Sequence, residues 1–383
     1  MSASTNILIT VVAARTVGLE DFGVFGVLYL LYLTVIGAVR ALVGEPALVR
    51  VPHPDGWRRD VFASALALSM PAAVGLAAGA TLLHANLAAL VLAALLPAMA
   101  MQDVGRYVGF ATRRPEDALR LDVTWGAAQV VALLALGWTG RLTLVSIVAA
   151  WAGAASLGGV QALWLNDRVL PMPTLRWIRA SWEYSWRYLA TFFMTAGIVQ
   201  FTGLMLGAVS GATAVGAVRA SQVLFGPLNV LFAGAIAVVV PEAARTDARS
   251  AGTRRRLVSI SASLVVAAAA VMAIGLTLPD RAGRFVLGET WPAARELIVP
   301  VGLVALFGAV IAGADIGLRA ARAVRGRLAV QLRLTPLQLL VPIGGAVLGD
   351  AAGYSWGLAA VTAVAAALWW RAFGRLGPSE ADP

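Results

Sequence analysis

Apolar residues run along this chain in long blocks rather than alternating with polar ones. From Val61 to Gln102 no residue carries a formal charge when His84 is neutral, a stretch of 42 residues. Val123–Gly140, Leu142–Asn166, Leu257–Pro279 and the residues between Arg187 and Arg219 repeat the pattern. A helix needs about 20 consecutive apolar residues to cross a bilayer. Each block therefore predicts one membrane-spanning helix, or two joined by a short turn. Breakers divide the blocks into about twelve spans: 2–17, 22–44, 60–83, 87–111, 118–139, 142–165, 188–209, 212–241, 257–279, 294–318, 331–349 and 353–373. Connections such as "LHAN" (83–86) and "VSGAT" (209–213) are so short that consecutive helices must be antiparallel neighbours.

"VVAARTVGLEDFGVFGVLYLL" (11–31) shows how the blocks are punctuated. Arg15–Gly23 reads as a tight external hairpin, with Gly18 and Gly23 permitting the reversal and Glu20 and Asp21 on the side that tolerates acids. Composition agrees with the pattern. The 383 residues are 60% hydrophobic and 13% charged, against about 25% charged for a soluble domain.

All 30 basic residues are arginine, and the net charge is +10. Their placement removes nucleic acid as an explanation. The even-numbered loops and the C-terminus hold 24 of the arginines and the odd-numbered loops five, with Arg219 inside span eight. This bias follows the positive-inside rule and predicts a multi-pass protein of the cytoplasmic membrane with both termini cytoplasmic. Cysteine is absent, so disulfides, thiolate metal sites and a cysteine nucleophile are excluded. His53 and His84 stand alone and fall on opposite sides of the membrane in this topology, so neither a metal site, a cofactor nor an enzyme's His/carboxylate constellation is expected.

The hairpin recurs. "TVGLEDFGVFGVL" (16–28) aligns with "VSGATAVGAVRAS" (209–221), placing Gly18 and Gly23 against Gly211 and Gly216. "PALVR" (46–50) aligns with "PEAAR" (241–245) at nearly the same shift. The fold class is thus an all-α integral membrane protein of two six-helix lobes. Six is even, so the lobes share one orientation and form a parallel pseudo-two-fold repeat. The expected organisation is an N-terminal lobe over 1–165, a cytoplasmic linker over 166–187, a C-terminal lobe over 188–373 and a cytoplasmic tail over 374–383. The linker's "RWIRASWEYSWRY" (176–188) carries Trp177, Trp182 and Trp186 among arginines, which suits an interfacial helix, either as an aromatic anchor or as a gate.

Four stretches resemble the Wzx-like polysaccharide-export flippases of the multidrug/oligosaccharidyl-lipid/polysaccharide exporter superfamily. They are "NILITVVAARTVGLEDFGVFGVL…RALVGEPALVR" (6–50), "QDVGRYVGFATRRPEDALRLDVTW" (102–125), "GAVRASQVLFGPLNVLF…VVVPEAAR" (216–245) and "RFVLGETWPAARELIVPVGL" (284–303). The resemblance implies two lobes that move a polyprenyl-phosphate-linked saccharide across the membrane by alternating access. It also implies work beside a glycan polymerase or glycosyltransferases. The alternative is a multidrug or small-molecule exporter of the same fold coupled to H⁺ or Na⁺. Members of the family usually have more residues before this hairpin; here the first helix is short of a full span.

Candidate site residues follow from what a membrane tolerates. An arginine at a helix centre costs about 2.5–3.5 kcal/mol on insertion scales, so it faces water, a partner or a ligand. Arg219 is the leading candidate cation for a phosphate, because the guanidinium fork binds phosphate oxygens bidentately; snorkelling to the outer interface is the other reading. Arg40, near the inner end of span two, and Arg15, at the outer end of span one, read as ordinary topology charges or, as the resemblance to lipid II flippases suggests, as cleft cations. Asp103 and Arg106 share a helix face and form either a neutral pair or, through Asp103, a coupling carboxylate. Asp122, and Asp315 beside Arg319, invite the same readings. Pro227 kinks span eight, as a hinge or a static bend. "DRAGR" (280–284) matches a major-facilitator signature in letters, but the arginine bias places it on the wrong side of the membrane for that role.

Overall fold

The computed structural model describes residues 2–82, 86–166, 171–245 and 250–376. His84, Arg168, Arg249 and most of the 374–383 tail lie outside them. The described residues are helical throughout: α1 (Ser2–Thr16), α2 (Leu19–Val39), α3 (Glu45–Val49), α4 (Trp57–Leu82), α5 (Leu87–Ala111), α6 (Pro115–Trp138), α7 (Leu144–Asn166), α8 (Arg176–Ala180), α9 (Trp182–Phe192), α10 (Ile198–Leu224), α11 (Gly226–Arg245), α12 (Ala251–Thr277), α13 (Asp280–Leu287), α14 (Trp291–Glu296), α15 (Ile298–Ala320) and α16 (Val324–Gly374). Ten helical runs among the described residues are long and apolar enough to cross a membrane. One of them, Val324–Gly374, breaks at Gly349–Asp350, and another, Trp182–Leu224, breaks at Gly211. The piece after Gly211 continues across Phe225 into α11. With the shorter α1, the described residues hold twelve apolar helical segments, and the chain is a multi-pass membrane protein.

Helix boundaries shift one expectation. The reversal after α1 takes only Val17 and Gly18, so Glu20 and Asp21 lie in the first turn of α2 rather than in a loop. Carboxylates there face the positive end of the helix dipole. Gly18 has φ −64° and ψ 165°, ordinary extended backbone, and Gly23 is buried inside α2. Neither glycine is needed for the turn itself. In the second copy of the motif, Gly211 does take a left-handed φ of 83°, while Gly216 is buried within its helix, as Gly23 is.

Packing divides the chain into two units, Met1–Phe201 and Thr202–Pro383. In the first, α5 is the central helix and packs most extensively on α7 and α4. Small residues set that contact: a Cβ on Gly159 would lie 2.0 Å from the Ala98 carbonyl oxygen, and one on Gly105 2.6 Å from the Ala162 Cβ. Helices in lipid gain little from burying apolar surface against one another, so close backbone approach takes over the role of a hydrophobic core. Phe25, Tyr29, Tyr32 and Trp151 add an aromatic cluster between α2 and α7.

The second unit uses the same device. The two arms of α16 fold back on each other so tightly that a Cβ on Gly345 would meet the Gly353 carbonyl oxygen at 2.2 Å. Leu257, Ile316, Leu334, Trp369 and Phe373 form its buried apolar centre. The Ser261 hydroxyl accepts from the Gly313 amide at 2.9 Å and donates to the Val310 carbonyl at 3.2 Å, joining α12 to α15.

The segment after α7 is not a loose connection. Between α2 and α3, residues Arg40–Gly44 form a wider π-helical turn in which the Glu45 amide reaches back to the Arg40 carbonyl. Pro46, just beyond, has no N–H to give. Carbonyls in this widened turn accept from the connecting segment: Trp177 Nε1 donates to Val43 at 3.0 Å and the Ser185 hydroxyl to Leu42 at 2.9 Å. Arg50 donates to the Ser181 hydroxyl and lies over the Trp177 ring. Trp177 is therefore 1% exposed, a structural plug rather than an interfacial residue, whereas Trp182 and Trp186 are 55% and 47% exposed.

Candidate functional site

Four charged side chains meet in the first unit. Arg40, on the π turn, forks onto Asp103 of α5: Nη2 donates to Oδ1 at 2.7 Å and Nε to Oδ2 at 3.1 Å. Arg106, one turn along α5, approaches the same Asp103 at 3.4 Å and, through Nε, Asp122 of α6 at 3.2 Å. The amide of Gln102 reaches Asp122 at 3.5 Å. Charges alternate along the cluster, plus, minus, plus, minus. The Asp103 side chain is 4% exposed and that of Arg40 39%. Low dielectric makes an unpaired charge there costly and a bidentate pair strong. Two of the pairings join helices, so the cluster also fixes α5 against the π turn and against α6.

Arg40, Asp103 and Arg106 of the cluster form one wall of a cavity of about 250 Å³, which Asp122 does not line. Tyr32 and Glu45 complete that wall, and Asn6, Trp125, Tyr188 and Gln200 face it. The Phe192 ring closes another side by lying where Gly37 has no side chain; a Cβ on Gly37 would fall 2.2 Å from the ring. A second π-helical turn, Phe193–Gly197, follows Phe192. Both π turns thus border the same cavity, and such turns redirect side chains without ending a helix.

The remaining candidates lie elsewhere. Arg219 is half-buried in α10 and within electrostatic reach of Tyr354 of α16, whose hydroxyl is 3.2 Å from that of Thr202. Arg15 is exposed at the end of α1. Asp315 is held by two arginines, Arg319 at 2.7 Å and Arg327 at 3.1 Å. Pro227 is the second residue of α11, directly after the break at Phe225. His53 stacks on Trp57 with centroids 4.0 Å apart, and its Nε2 is 2.9 Å from the Ala47 carbonyl oxygen. Among the described residues no group of His, Asp and Glu could hold a metal ion. "DRAGR" opens α13, where Asp280 accepts from Trp291 Nε1 at 2.9 Å and from Arg295. Those bonds, the Trp291 one first, hold the Asp280 carboxyl below its ordinary value.

The fold is that of a helical, multi-pass membrane protein. No protein-family model and no curated protein matches the sequence. Solved structures do match the fold. An inward-facing multidrug resistance MATE family transporter of the MOP superfamily aligns over 97% of this chain and 93% of its own, with TM-score 0.71 and 14% identity. The lipid II flippase MurJ, in an inward closed conformation, aligns over 97% and 85%, with TM-score 0.74 and 10% identity. An outward-facing MATE transporter aligns over 98% and 92%, with TM-score 0.54 and 14% identity.

Proposed function

We propose that the chain is a flippase that moves a polyprenyl-phosphate-linked saccharide across the cytoplasmic membrane, by alternating access of two lobes. The observation that carries this reading is the likeness over 97% of the chain to a lipid II flippase, taken with the four sequence stretches that resemble polysaccharide exporters. Arg219 is the proposed phosphate-binding cation, with Arg15 as a second cation at the outer end of α1. Arg40 already spends its fork on Asp103, so its role is to hold that carboxylate in place. A break at Phe225 followed by Pro227 gives α10 and α11 a joint, which is the proposed hinge. The delivered saccharide would pass to a glycan polymerase or to glycosyltransferases.

Complementation of a flippase-deficient strain tests this reading, with Arg219→Ala and Arg219→Lys beside the unaltered chain. Export should fail with alanine and be partly restored by lysine, which keeps the charge but loses the fork. Full export with Arg219→Ala removes the phosphate assignment.

A second reading, an exporter coupled to H⁺ or Na⁺, is favoured by one feature: Asp103 is buried and lines the cavity of the first unit, with Asp122 buried behind Arg106. Buried carboxylates in a membrane cavity suit an ion-coupling role. Transport by Asp103→Asn should then lose its dependence on the ion gradient, and an unchanged dependence rejects the coupling.

A further inference from the structure

The cavity of the first unit holds polar atoms that its ion cluster leaves over. Asn6 Oδ1, Trp125 Nε1, Arg106 Nε and Gln200 Oε1 are buried without a hydrogen-bond partner, and all four residues line it. Trp125 is 2% and Gln200 8% exposed. Arg106 Nε is near Asp122 yet poorly aligned for a hydrogen bond. A buried polar atom without a partner carries its full desolvation penalty. Native proteins keep few of them, so the three with no ion-pair partner either, supplied by α1, α6 and α10 around one space, mark a place for a polar occupant.

We propose that this cavity is a subsite for one neutral, hydroxyl-bearing ring, a single sugar unit of the carried saccharide. The proposal rests on the saccharide reading above and adds where a sugar is held. Charge argues against phosphate. Arg40 and Arg106 are matched by Asp103 and Glu45 on the lining, and Arg106 also by Asp122 behind it, so no cation is left over for an anion. Hydrogen bonding argues against an organic cation such as a quaternary ammonium, which offers no acceptor to Trp125 or Arg106 and no donor to the amide oxygens. A hydroxyl donates and accepts. It satisfies the amides of Asn6 and Gln200 whichever way they are turned. Tyr32, Trp125, Tyr188 and Phe192 also line the cavity, and the negative quadrupole of an aromatic ring suits the C–H edge of a sugar. A volume of about 250 Å³ is below the roughly 300–1,000 Å³ of sites for drug-sized ligands, a size that suits one ring.

The test is equilibrium binding to the full chain in lipid nanodiscs free of sugar detergents. The probes are a panel of radiolabelled methyl pyranosides, with inorganic phosphate and tetraethylammonium as competitors. At least one pyranoside should bind saturably, and neither competitor should displace it. Gln200→Leu and Asn6→Leu should weaken binding at least tenfold. Trp125→Phe removes only an N–H and keeps the ring, so it should weaken binding while leaving the melting temperature within a few degrees. The proposal is overturned if no pyranoside binds, which leaves a cavity holding water only. It is equally overturned if phosphate or tetraethylammonium competes, or if all three variants bind like the unaltered chain. The flipping of a lipid-linked saccharide in proteoliposomes is read separately. Selective pyranoside binding without flipping would refute the flippase reading and keep the subsite; flipping without binding would do the reverse.

Discussion

Replacing Asp103 by asparagine keeps the shape of the side chain and removes its charge. Arg40, which donates to both carboxylate oxygens at 2.7 and 3.1 Å, then keeps one neutral acceptor and meets an NH2 group in place of the other, and Arg106 loses one of its two carboxylates. Hydrogen bonds to charged groups contribute about 1.5–3 kcal/mol each, and removing one partner of a buried pair costs about 3–5 kcal/mol. The Arg40 side chain is 39% exposed, so it regains some solvation and the upper end is not reached. The expected cost of Asp103→Asn is about 2–3 kcal/mol. The diagnostic quantity is the coupling, because single substitutions also disturb packing. A double-mutant cycle of Arg40→Gln and Asp103→Asn, measured by equilibrium unfolding of the purified chain in mixed micelles, should give an interaction energy of about 1.5–2.5 kcal/mol. Additivity within about 0.5 kcal/mol would show that the fork does not form and that the cluster is not a unit.

Further outcomes follow from single contacts. Gly159→Leu must push α7 away from the Ala98 carbonyl and should cost more than Gly153→Leu, where nothing lies within 4 Å; relative thermal stability decides it. Gly211→Ala forces a side chain into a φ of 83° and should destabilise by about 1–2 kcal/mol. Asp280 is held below its ordinary value of 3.8 by its Trp291 bond first. A depressed carboxylate contributes above its ordinary value and loses its contribution as pH falls through its folded value. Fluorescence near Trp291 should therefore stay constant from neutral pH down to that range and change only below it; Asp280→Asn should abolish the transition. The chain has no cysteine, so single cysteines report topology without background. In intact cells Arg255→Cys should resist an impermeant maleimide and Thr139→Cys should react; the opposite pattern rejects the orientation.

The helices were legible because charge-free runs and their breakers are local. The twelve segments follow from such runs, whereas Gly23 and Gly216, expected at reversals, are buried inside helices. Asp103 and Arg106 were legible as neighbours because three residues make nearly one helical turn. Arg40 is 63 residues from Asp103, and no spacing rule joins them. The π turn at Arg40–Gly44 was signalled only by Pro46, which bars an ordinary helical hydrogen bond. Trp177 illustrates a different failure. Arginines on either side make it look interfacial, yet its indole N–H is claimed by a carbonyl 134 residues away. Gln200 and Asn6 carried no sequence signal at all, since an isolated amide in an apolar run reads as incidental.

Phe192 rests in the space that Gly37 leaves empty. The two positions behave as a lock and its key. A larger residue at 37 evicts the ring, while a smaller one at 192 unseals the cavity toward α2. Neither change is tolerable by itself, so descendants of this sequence should alter both or neither.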